Sequence, residues 1–125
     1  MIVNACIGWI AFLLGGLAGA IPGLFFHHPD WLGGYSSWRR RMIRLAHISF
    51  FGLGLINLLF ALTAKTLRIE TGLQGISALL IVGVIAMPAV CYLSAWKQPF
   101  RNLFFIPALS VIAGIALFVW RMMQP

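Results

Sequence analysis

The chain has 125 residues, of which 62% are hydrophobic and 9% charged, with a formal net charge of +7. Soluble domains carry about 25% charged residues, and a soluble fold of this length lacks the interior to hide so much apolar surface. An ordinary soluble domain is therefore excluded. The bases sit in short gaps between apolar runs, which argues for topology signals and anionic lipid head groups as their partners, and against nucleic acid.

Apolar runs at 2–26, 42–64, 73–95 and 102–122 each reach the roughly 20 residues that a helix needs to cross a bilayer. No alternating strand pattern competes with them. The second and third gaps, 65–72 and 96–101, are short enough to require antiparallel neighbours. The expected fold is an all-α integral membrane protein, a single transmembrane domain built as an antiparallel bundle of four transmembrane helices. Arg39, Arg40, Arg41, Arg44, Lys97 and Arg101 fall on one side of that arrangement, and Lys65, Arg68 and Arg121 on the other. The bias predicts both termini outside a cell or inner membrane, with the first and third gaps cytoplasmic.

The first run opens without a Lys or Arg, so it is expected to be a retained helix and not a signal peptide, despite the small residues Ala18-Gly19-Ala20. Ala11, Gly15, Gly19 and Gly23 recur four apart and share a helix face where another backbone can approach closely. Packing within the bundle is one use for that face; contact with a second copy or another membrane subunit is the other. Asn4, Cys6 and Trp9 are expected near the outer interface, and Pro22 should loosen the last turn. Cys6 and Cys91, the only cysteines, fall near opposite faces, too far apart to bridge.

The first gap and the start of the second helix, His27 to His47, hold all the histidines. His28-Pro29-Asp30 should break the helix. Trp31, Tyr35 and Trp38 suggest a segment at head-group level, turning at Gly33-Gly34, ahead of a basic cluster that sets topology.

In the second helix His47, Phe50, Gly54, Asn57 and Ala61 follow one another at spacings that place them on one stripe. An imidazole and an amide facing lipid would lack partners, so this stripe should face the bundle. His47 lies about 9 Å in from Arg41, and Asn57 about 15 Å deeper, at 1.5 Å per residue. Ser49 and Gly52 fall on the opposite side with no expected role. In the third helix Gly83, Met87 and Cys91 share a face, and Pro88 frees a backbone carbonyl one turn back. Pro107, Ser110 and Gly114 form a second close-packing face in the fourth.

The candidate constellation is His47 with His27 or His28, and Met87 or Cys91, because imidazole, thioether and thiolate ligate haem iron or copper. Arg44 and its neighbours would fork onto haem propionates. A quinone could use the same parts, with His47 hydrogen-bonding its carbonyl and Phe50 or Trp38 against its ring. Haem b and quinone are thus the candidate cofactors, and a histidine satisfied by a backbone carbonyl is the plain alternative. Asp30 and Glu70, the only acids, lie in gaps on opposite sides, which leaves no paired-carboxylate chemistry and no catalytic constellation. A small multidrug transporter would need a carboxylate within the first helix, and none is there.

The resulting expectation is a subunit of a larger membrane assembly, of a respiratory or electron-transfer kind, with His47 as its functional residue. Two alternatives remain: a small homo-oligomeric channel or transporter with Asn57 lining a pore, and a lipid-binding accessory protein gripping anionic head groups through Arg39 to Arg44.

Overall fold

The structure, a computed structural model, describes residues 2–125. It is all-helical, with α1 (Ile2–Gly23), α2 (Trp38–Thr66), α3 (Gln74–Trp96) and α4 (Phe105–Met122), and no strand among the described residues. Each of the four, the last counted from Gln98, is long and apolar enough to cross a membrane.

The helix ends have local causes. Pro22 lacks the N–H that would continue the ladder, and α1 stops one residue later, at Gly23, short of the expected 26. Tighter bonds follow, from Leu24 N–H to the Ile21 carbonyl and from Phe25 N–H to the Pro22 carbonyl. α2 begins four residues earlier than its apolar run because Ser37 caps it, its Oγ accepting the Arg40 N–H at 3.2 Å. The basic cluster is thereby helical. Gln98–Leu103 forms a 3-10 turn with Pro near its start, and α4 proper begins after it.

Sequence neighbours pack: α1 on α2, α2 on α3, α3 on α4, with α1 meeting α3 only slightly and never approaching α4. The start of α1 lies against the later part of α2, and the start of α2 against the later part of α1. A shared core of Phe60, Ala64, Leu73, Ile76 and Leu80 joins α2 to α3, and Phe118 of α4 reaches it edge-on to Phe60 at 4.8 Å. The flanking helices are left largely uncovered. Only 22% of the apolar window of α1 and 17% of that of α4 are buried, against 44% for α3, so their outward faces suit hydrocarbon or another apolar chain.

Small residues set the helix spacing. A Cβ at Gly8 would stand 2.8 Å from the Gly54 carbonyl oxygen, one at Gly54 2.9 Å from Ala11 Cβ, and one at Gly15 2.9 Å from Phe51 Cε2. The ladder of α1 thus packs inside the chain, against α2. It runs Gly8, Ala11, Gly15, Gly19 and leaves out Gly23, which has nothing within 4 Å because the chain turns away after Pro22. On the other flank Val111 fills the space over Gly83, a Cβ at Gly114 would lie 2.9 Å from Leu80 Cδ2, and Ser110 Oγ donates to the Leu79 carbonyl at 2.7 Å. Ser49 also departs from expectation: it is buried, donating to the Ala46 carbonyl at 2.8 Å. A helix with neighbours on two sides buries two stripes, and Ser49 lies on the second.

Candidate functional site

α2 divides its polar residues between its two neighbours. Trp38, Met42, Ala46, Ser49, Asn57, Phe60 and Ala64 repeat at helical spacing; Trp38, Asn57 and the Phe60–Ala64 pair reach α3, and Asn57 bonds α1 as well. Trp38 itself, expected at head-group level, donates its Nε1–H to the Ser94 carbonyl at 2.7 Å. His47 sits one residue, about 100° around the helix, from Ala46 and points to α1 instead.

The imidazole meets α1 where side chains are missing. Its Nδ1 lies 2.8 Å from the Gly15 carbonyl oxygen, and a Cβ at Gly19 would stand 2.8 Å from that same nitrogen. A carbonyl only accepts, so Nδ1 carries the proton; in the neutral ring Nε2 then keeps a free lone pair. Phe51 holds the ring edge-on at 5.2 Å between centroids. His47 lines a recess of about 290 Å³ with Ala18, Gly19, Phe26, Ile43, Arg44 and Ile48. Arg44 stands exposed at this recess, its Nη2 donating to the Tyr35 carbonyl at 3.1 Å.

The outer wall depends on Arg40. Its side chain is 1% exposed and gathers the loop by its main chain: Nε donates to the Trp31 carbonyl at 2.6 Å, Nη1 to that of Phe26 at 3.5 Å and Nη2 to that of His28. The guanidinium also lies 4.4 Å from the Tyr35 ring centroid, 5.4 Å from that of Trp31 and 5.5 Å from that of Phe26. Gly33 and Gly34 have φ of 89° and 102°, which lets the loop turn back over the guanidinium. Because Phe26 is both an Arg40 partner and a wall of the recess, Arg40 fixes the shape of the His47 site without lining it.

The other predicted ligands do not converge here. His27 and His28 are exposed, their rings 3.9 Å apart, and neither lines the recess. Met87 is half-buried and Cys91 fully buried on α3, which contributes nothing to the recess. Cys6 and Cys91 are free thiols, the first exposed. Among the described residues no three of His, Cys, Asp or Glu stand close enough to hold a metal ion. Phe50 is half-buried on the stripe beside the ring, against Gly15.

Asn57 belongs to a separate, closed cluster. Asn4 Nδ2 donates to Asn57 Oδ1 at 2.8 Å, and Ser77 Oγ donates to Asn4 Oδ1 at 2.5 Å. Asn57 Nδ2 donates to the Leu53 carbonyl at 2.9 Å and the Leu80 carbonyl at 3.3 Å. Three helices are tied by this cluster, and both amide hydrogens of Asn57 are used. Asn4, near the start of α1, is fully buried.

Sequence reasoning missed Arg40, Asn4 and Ser77. The signal available for Arg40 was the aromatic run beside it, Trp31 and Tyr35. Compared with protein-family models, curated proteins and solved structures, the chain matches none.

Proposed function

We propose that the chain is a multi-pass membrane protein, a subunit of a larger membrane assembly, that holds the head of a quinone-class ligand at His47. Its helices run antiparallel across the membrane, both termini outside and the basic cluster inside, a reading supported by the pairing of α1's start with α2's later part and by the uneven charge of the gaps. The uncovered apolar faces of α1 and α4 meet lipid or neighbouring subunits.

The observation that carries the reading is the His47 imidazole, with one nitrogen pinned by the Gly15 carbonyl, beside Arg44 on a recess floored by Gly19. A lone pair and a forked donor suit the two protonation states of such a ring: the guanidinium donates to a carbonyl oxygen, and Nε2 accepts from a hydroxyl. Phe26 supplies an apolar wall. The recess, at about 290 Å³, stands at the lower end of the roughly 300–1,000 Å³ of small-molecule sites, which suits a single ring better than a macrocycle. It also offers one imidazole and no second axial ligand, which favours quinone over haem b. The exposed Arg39 and Arg41 remain for anionic lipid head groups.

A homo-oligomeric channel loses its main support, because Asn57 is 1% exposed and committed within one chain. Titrating a short-chain quinone into the detergent-purified protein tests the proposal. His47→Ala and Arg44→Gln should each weaken binding about tenfold, the loss of one hydrogen bond to a charged or buried group. Unchanged affinity in both variants, or a Soret band in the visible spectrum that disappears with His47→Ala, would refute it.

A further inference from the structure

At the opposite end of α2 from His47, an apolar cleft of about 970 Å³ runs between α1 and α2. Ile2 and Trp9 form one wall, and Leu55, Leu58 and Leu62 the other; Lys65, Arg68 and Glu70 stand at its mouth. From Leu55 to Lys65 the helix rises about 15 Å, at 1.5 Å per residue. That is the depth of one leaflet, half of a hydrocarbon core about 30 Å thick.

Arg68 reaches the mouth through an unusual backbone. α2 ends in a Schellman turn, with Ile69 N–H bonding the Ala64 carbonyl at 2.9 Å and Arg68 N–H bonding the Lys65 carbonyl at 3.1 Å. The residue leaving the helix, Arg68, has φ 53°. Glycine takes that left-handed position without strain, whereas an arginine there carries a conformational cost. Strain of this kind points to a use for the side chain.

We propose that this cleft binds one diacyl phospholipid with an amine-bearing head group, of the phosphatidylethanolamine class. An acyl chain lies along the leucines, the phosphate rests on Lys65 and Arg68, and the ammonium meets Glu70. Two cations and one carboxylate, which follow the leucines at the end of α2 and line the same apolar cleft, are the complement of a zwitterion on a hydrocarbon tail. The inference rests on the membrane-spanning reading, but not on quinone binding at the other end of α2, so either can fail alone.

The test is native mass spectrometry of the full chain in mild detergent, with palmitoyl-oleoyl phosphatidylethanolamine, the matching phosphatidylglycerol and the matching diacylglycerol. One phosphatidylethanolamine should be retained, at least tenfold over either competitor. Arg68→Gly should cut that retention about tenfold while raising the melting temperature, so the loss cannot come from misfolding. Glu70→Gln should abolish the preference over phosphatidylglycerol. Equal retention of the three lipids would mean only annular contact and would overturn the proposal. So would retention indifferent to Arg68→Gly, or a Leu62→Cys chain that cross-links to a second copy in the membrane, since another helix would then fill the cleft.

Discussion

The contact between α1 and α2 carries buried polarity at both ends, and the two ends treat it differently. At one end Asn4, Asn57 and Ser77 satisfy one another and two main-chain carbonyls, and the amide of Asn57 keeps no free donor. At the other end His47 has one nitrogen engaged by Gly15, and its ring borders a recess shared with Arg44. In a low-dielectric interior an unsatisfied polar group is costly, so a closed cluster fixes the packing and nothing more. A half-satisfied imidazole on an open recess has capacity left for a ligand. Buried polar residues alone do not mark a site; their remaining hydrogen-bonding capacity does.

The largest break in this contrast should come from Arg40, which belongs to the open end but behaves like the closed one. Arg40→Met removes a charged donor from three main-chain carbonyls, each such bond contributing about 1.5–3 kcal/mol before water refills the loop. The net loss should be about 3 kcal/mol in detergent unfolding, with new protease cleavage between 24 and 37 and quinone binding lost alongside. Arg40→Lys should recover little, because an ammonium gathers its donors on one nitrogen and cannot span carbonyls that Nε, Nη1 and Nη2 reach separately. Stability and loop protection unaffected by Arg40→Met would show that the loop holds itself.

At the closed end Asn57→Ala should cost about 2 kcal/mol by leaving the buried Asn4 Nδ2 without its acceptor, and should leave ligand affinity at His47 unchanged. Adding Asn4→Ala should recover part of that loss, about 1 kcal/mol of coupling, the scale measured for polar contacts between membrane helices. Strictly additive losses would mean that the two amides act independently. A fall in quinone affinity with Asn57→Ala would mean that the two ends are not separate.

How much of this was legible beforehand follows from what each feature depends on. The four long apolar helices were readable because the length and composition that would let a helix cross hydrocarbon are set residue by residue. The helical repeat also put His47, Gly54 and Asn57 on one broad face, but did not show that His47 turns to α1 while Asn57 reaches α3 as well. Arg40 was hidden among Arg39, Arg41 and Arg44, since only the folded loop decides which guanidinium turns inward. The bond from Ser77 to Asn4 joins residues 73 apart and depends on the order in which the helices pack. Met87 and Cys91 were grouped with His47 by depth alone. Depth is shared around a bundle, but direction is not, and α2 stands between α1 and α3 with His47 turned to the first.

The glycines of α1 provide the finest discrimination between a packed position and a merely permitted one. Gly19 and Gly23 lie one helical turn apart, and the sequence treats them alike. Gly19→Ala puts a methyl group against the imidazole, so the ring must swing out and release the Gly15 carbonyl. Overpacking of this kind costs about 1–3 kcal/mol, offset by the roughly 1 kcal/mol by which alanine is preferred over glycine in a helix. The balance should be a loss of about 1 kcal/mol together with loss of the ligand. Gly23→Ala meets nothing within 4 Å and should raise stability by about 0.5 kcal/mol with affinity unchanged. Equal effects at the two positions would show that α1 slides or rotates against α2 freely enough to relieve the crowding. The pinned imidazole, on which the proposed ligand site depends, would then not be a fixed feature of the protein.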